Sequence, residues 1–186
     1  SVREAIRVLE HKKVLKSRPG SGTYIIIEDE SSVIEFLAKA INKEKNTLSE
    51  IFQFRELLEP QIAGLAARNA TEEDISILQD ILERQQKELN NIEESKKLDE
   101  DFHLALAKAS GNSILLQVVE LLGHIFLRSR DEYSQSPDRR RLSIKGHQGI
   151  VKAIKELDSK TAKELMADHL SEIRKLVLSS DFHKEK

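Results

Sequence analysis

Residues 96–112 read KKLDEDFHLALAKASGN, and the architecture follows from how this stretch is taken. It is a helix that carries Asp99 and His103 four positions apart beneath an otherwise apolar face, ended by Ser110-Gly111-Asn112, with Gly111 as the stop and Asn112 as the cap of the next helix. Side chains at that separation lie one turn apart on one side of a helix, so a carboxylate oxygen and a ring nitrogen can point at one spot. Two readings fit the pair alone: a hydrogen-bonded or solvated pair worth tenths of a kcal/mol, or half of a metal shell that needs further ligands.

Composition narrows the chemistry. The chain has 186 residues, enough for one good-sized domain with a small module attached, and no cysteine. Disulfides and thiolate metal sites are excluded, which leaves histidine and carboxylate for any metal. No run of about 18 apolar residues occurs, and no secretory pattern opens the chain, so a cytoplasmic protein without a membrane partner is expected. Ser1 falls inside a helical pattern, so an upstream segment is expected. The net charge of −2 is uneven. Over positions 1–20, Arg3, Arg7, Lys12, Lys13, Lys16 and Arg18 stand against Glu4 and Glu10, a net of +4, which leaves −6 for the rest. A basic end on an acidic body points that end towards phosphate.

Outward from the central stretch, the pattern is helical almost throughout. SVIEFLAKAINKEK gives a short helix. Thr47 and Glu50 form a capping box for the next, whose apolar face runs through Leu48, Ile51, Phe52, Leu57, Leu58, Ile62, Leu65 and Ala66, with Pro60 expected to kink it or end its first half. Thr71 caps a run from Glu72 to about Ile92. ILLQVVELLGHIFL is apolar on more than one face and reads as the buried central helix. A turn at 134–138 precedes a final pair, Arg139 to Leu157 and Ser159 to Leu178. No strand pattern appears beyond position 28, so the body is expected to be an antiparallel bundle of six or seven helices.

The start differs. SVREAIRVLEHKK is the tail of an amphipathic helix, and VLKSRPGSGTYIII places a β-favouring run on each side of Pro19-Gly20-Ser21-Gly22. A helix followed at once by a basic hairpin is the second half of a winged helix-turn-helix. The stretch from Ser1 to Glu28 resembles the recognition helix and wing of the GntR superfamily of bacterial transcription regulators, whose usual form is VREAL and then SRPGRGTYV. The resemblance implies that Arg3, with Arg7 on the same helix, contacts DNA, and that Gly20, Ser21, Gly22 and Thr23 approach its backbone. Ser21 stands where a basic residue is common, which weakens the wing's grip. Arginine offers a planar fork for guanine or phosphate, and glycines remove side chains that would hold the wing away.

His147 and His169 stand equally far from Asp158 in the sequence, one before it and one after it. Two antiparallel helices joined by a tight turn there would bring these histidines face to face. Together with Asp99 and His103 they form a first shell suited to zinc or another borderline divalent metal, or else a set of core histidines hydrogen-bonded to Asp99. His11 and His183 read as surface residues and His124 as a satisfied bundle residue.

FRELLE at 54–59, DEDFHLALAKASGN at 99–112 and the two later histidines resemble the landmarks of the FCD domain, the ligand-sensing module of the FadR-type branch of the same superfamily. The resemblance implies a metal, zinc first with nickel or manganese as alternatives, held by Asp99, His103, His147 and His169. It also implies a small organic carboxylate as effector, since acyl-CoA sensors lack this ligand set. Arg55, among apolar neighbours, needs a partner. An anionic effector is implied by the family, and an internal carboxylate such as Glu59 would serve equally. The chain then divides into the end of a winged-helix domain at 1–28, a linker at 29–32, an effector-binding bundle at 33–178 and a polar tail at 179–186. The function expected is a homodimeric regulator, a repressor, that binds operator DNA and responds to a carboxylate. Two other classes compete: a metal-dependent hydrolase using Glu100 or Asp101 as base, which helix geometry turns away from the Asp99–His103 face, and a helical module with a structural metal.

Overall fold

The computed structural model describes residues 15–18, 22–25, 48–127 and 136–181. The chain divides into two compact units, Ser1–Lys43 and Glu44–Lys186. In the first, β1 (Leu15–Arg18) pairs antiparallel with β2 (Gly22–Ile25), with Leu15 opposite Ile25 and Arg18 opposite Gly22. This is the hairpin expected around the Pro-Gly-Ser-Gly tip. Gly22 and Thr23 fall on β2; Arg3, Arg7, His11, Gly20, Ser21, Thr47, His183 and the short helix expected within 32–45 lie outside the described residues.

In the second unit the described residues form six helices: α1 (Leu48–Asn69), α2 (Glu72–Lys87), α3 (Ile92–Ala109), α4 (Ser113–Leu127), α5 (Pro137–Lys155) and α6 (Ser159–Asp181). Side-chain caps set several of their starts. Thr71 accepts from the Asp74 amide while Asp74 accepts from the Thr71 amide, a reciprocal box that opens α2. Asn91 caps α3, so the run expected to continue to Ile92 stops at Lys87 instead, and Ile92 begins the next helix. Gly111, at φ 68°, and Asn112, whose Oδ1 accepts from the amides of Ile114 and Leu115, separate α3 from α4 as the sequence indicates. Ser136 caps α5 with Pro137 in its first turn. Between α5 and α6 the turn places Leu157 at φ 56°, and Asp158 accepts from the Thr161 amide.

Pro60 does not end α1, which is helical through it. The missing amide costs a helix about 3 kcal/mol. That is offset by burial on both sides, with Ile51 and Phe52 before the proline and Ile62, Ala63, Ala66 and Ala67 after it, because one large apolar side chain fully buried contributes about 1.5–3 kcal/mol. The small residues let α1 lie close along α6, where Ser159 Oγ donates to the Gly64 carbonyl at 2.6 Å. Leu57, expected on the buried face, is instead 75% exposed.

The centre of the bundle belongs to α3. Leu98, Phe102 and Leu106, each one turn from the next, are fully buried against Ile62, Leu78, Ile150, Ile154, Met166 and Leu170. α4 is not the central helix that its composition suggests. It covers α3 with Val119, Leu122 and Phe126 and leaves Ile114 71% exposed. Among the described residues no helix is long and apolar enough to cross a membrane.

Candidate metal and effector site

Three helices bring the four sequence-selected ligands to one buried place: Asp99 and His103 from α3, His147 from α5 and His169 from α6, each at most 4% exposed. One nitrogen from each histidine lies within 4.8 Å of the others. The rings of His147 and His169 meet across the α5–α6 pair with centroids 4.7 Å apart, as their equal spacing from Asp158 requires.

Asp99 stands between the rings of His103 and His147. Its Oδ1 is 3.8 Å from His147 Nε2 and its Oδ2 is 4.0 Å from His103 Nε2, both beyond hydrogen-bond reach. It accepts instead from Ser143 Oγ at 2.7 Å. Two imidazole nitrogens thus flank one carboxylate.

The outer nitrogens of both rings are held by partners from neighbouring helices. His147 Nδ1 is 3.1 Å from Gln85 Oε1, and Gln85 Nε2 donates to the Leu98 carbonyl at 3.0 Å, which fixes the amide so that its oxygen faces the ring. Nδ1 then carries the proton, and the Nε2 lone pair faces Asp99. Phe102 stacks on the same ring at 3.8 Å, 12° from parallel. His103 Nδ1 is 2.5 Å from Glu59 Oε2. Burial alone would raise the Glu59 carboxyl, but Arg55 and His103 together hold it well below the ordinary carboxylate value, so it is ionised beside Nδ1. The Nε2 lone pair of His103 is met by Arg55 Nη2 at 3.2 Å.

His169 stays neutral. Burial pushes it down to about 3. Its Nδ1 is buried with no hydrogen-bond partner among the described residues, and it lies against Gly146, where a Cβ would come within 2.6 Å. A buried imidazole nitrogen without a donor or acceptor is costly unless something else binds it. That orphaned nitrogen, together with three converging imidazoles and a carboxylate, matches the donor set of a borderline divalent metal.

Of the two partners open to Arg55, the internal one is in place: Nε is 2.6 Å from Glu59 Oε1, with the rings of Phe52 and Phe126 at 5.8 and 5.6 Å from the guanidinium carbon. A cavity of about 170 Å³ lies between α3 and α4, walled in part by His103 and Phe126, both in contact with Arg55, and by Glu100 and Glu120. Glu100 shares this cavity with His103, where α4 closes over both. Sequence reading also passed over Gln85, Ser143, Phe102 and Gly146. Only Ser143 carried a signal, standing four positions before His147.

The FCD domain family matches residues 50–172. The chain belongs to the FCD-domain branch of the GntR-type transcription regulators. It is 34% identical over 184 residues to the Uxu operon regulator of Haemophilus influenzae, covering 93% of this chain and 65% of that one. It is 30% identical over 194 residues to the HTH-type transcriptional regulator LutR of Bacillus subtilis, covering 99% and 86%. Among solved structures it is similar to Streptococcus agalactiae GntR, with 28% identity, a TM-score of 0.63 and coverage of 94% of this chain and 80% of that one. This GntR-type regulator therefore spans just under two thirds of the Haemophilus relative's length, and its relatives are regulators of transcription rather than enzymes.

Proposed function

We propose that this GntR-type regulator is a homodimeric repressor whose helical unit takes a divalent metal and a small carboxylate and changes operator affinity in response. The observation that carries the reading is the convergence of Asp99, His103, His147 and His169, with the first two rings oriented by Glu59 and Gln85 and the His169 nitrogen left without a partner. These four would hold the ion, zinc first and nickel or manganese next. When bound, it supplies an open position to which a carboxylate oxygen can attach. Arg55, beside His103 and Phe126, offers a second anchor: a guanidinium can hold a carboxylate by two parallel hydrogen bonds. Its bond to His103 Nε2 uses the one lone pair which that nitrogen has to give, so Arg55 turns from His103 towards the effector when the site fills.

The relatives named as HTH-type transcriptional repressor NanR support repression, and the domain boundaries at 28, 32 and 178 go with the same reading. A winged helix reads one half-site, so a two-fold dimer suits a palindromic operator. A ligand shifts DNA affinity only through its own preference for one of two bundle arrangements, and the effect is reciprocal, typically 5- to 150-fold. Calorimetric titration of a carboxylate panel into metal-loaded, chelated and Arg55→Ala protein tests the site. Binding is expected in the first and loss in the other two; equal binding in all three places the effector elsewhere.

A further inference from the structure

We infer that Ser143 sets which metal the site prefers, by holding one oxygen of Asp99 so that the carboxylate reaches an ion with the other alone. The inference rests on the metal reading above and names a specificity-determining residue for it. Ser143 stands one turn before His147 on α5 and is 4% exposed. A serine inside a helix often returns its hydroxyl to the carbonyl one turn back. Here the hydroxyl crosses to α3 and donates to Asp99 Oδ1 at 2.7 Å, while His147 Nε2 is 3.5 Å away. The hydroxyl has one hydrogen, and the shorter contact, made to a carboxylate, takes it. Asp99 is thereby fastened to the helix that carries His147, with Oδ2 4.0 Å from His103 Nε2.

A carboxylate with one oxygen committed to a hydroxyl offers an ion one strong ligand atom. Three imidazoles and one oxygen make four ligands, the number that zinc takes. Such a set is rich in nitrogen, which suits zinc and nickel, whereas manganese is suited by carboxylate and water oxygens in a six-coordinate shell. Releasing Oδ1 lets both oxygens of Asp99 close on the ion, which adds an oxygen ligand and raises the relative standing of manganese. Ser143 thus acts through Asp99 as Gln85 acts through His147, but with a different effect. A tautomer matters to every metal, and a count of oxygens only to some.

Zinc and manganese, each titrated in competition with a chelating dye into wild type, Ser143→Ala and Ser143→Thr, test the assignment. Ser143→Ala is expected to weaken zinc about tenfold and to leave manganese as tight or tighter, so the zinc-to-manganese affinity ratio falls about tenfold or more. X-ray absorption at the manganese edge should show an added oxygen ligand in this variant. Ser143→Thr, which keeps the hydroxyl, should keep the wild-type ratio. Alanine is a good helix former, so the circular dichroism spectrum of Ser143→Ala should be unchanged. A fall of equal size for both metals, an unchanged ratio, an unchanged manganese shell, or a ratio lost equally in Ser143→Thr would overturn selection by Ser143 while leaving the metal site standing. If neither metal binds the wild type, or if Asp99→Asn binds zinc as tightly as the wild type does, the metal reading itself fails.

Discussion

A methyl group at position 146 would come within 2.6 Å of His169 Nδ1 and 3.0 Å of its Cγ, and a rigid imidazole cannot bend out of the way as a lysine end can. Gly146 lies inside α5, where alanine is the better helix former by about 1 kcal/mol. Gly146→Ala should therefore keep the fold and lose the metal. Zinc at several hundred to a thousand times its dissociation constant should stabilise the wild type by roughly 3–4 kcal/mol. Most of that gain should vanish in Gly146→Ala, His147→Ala and His169→Ala; thermal melts with zinc and with chelator measure it, and equal melting temperatures for wild type in both would count against the site. Gln85 acts one step further out, through the tautomer of His147. Gln85→Ala should weaken zinc binding about 10- to 100-fold, read by competition with a chelating dye, with the circular dichroism spectrum unchanged.

At the scale of elements, the reciprocal bonds between Thr71 and Asp74 are the clearest local device. Thr71→Ala should cost about 0.5–2 kcal/mol in urea unfolding. Hydrogen bonds from Thr71 hold the Asp74 carboxyl below its ordinary 3.8. Its contribution is therefore present above that pH and lost as pH falls through the lowered value, so the penalty of Asp74→Asn should shrink on acidification. Such caps are legible because a threonine and a carboxylate three positions apart have one common use at a helix start. The facing of His147 and His169 was legible for a similar reason, since counting positions from a turn is arithmetic. What escaped reading depends on neighbours. Pro60 looks like a stop until the buried residues on both sides of it are known, and α4 looks central because hydropathy records that a face is apolar, not that anything covers it. Gln85 is one of several glutamines in its helix, and only the approach of α5 gives it a histidine to orient.

For the whole molecule, DNA is the partner proposed for the first unit, which holds the hairpin β1–β2. Arg3→Ala in the full-length protein should weaken operator binding by roughly 1–3 kcal/mol and flatten its salt dependence; gel-shift titrations at two salt concentrations decide it, and an unchanged affinity and slope would remove Arg3 from the interface. The left-handed Leu157 turn carries a different kind of consequence, for descent. His147 and His169 meet only because equal lengths of helix run from that turn to each of them. One residue inserted between Asp158 and His169 would swing the imidazole by about 100° round α6 and carry it about 1.5 Å along the axis. Side chains on this hairpin can drift over generations, but its length cannot. Insertions and deletions that persist in the lineage should fall in connections such as Glu88–Asn91, and α5–α6 should be inherited as a ruler of fixed length.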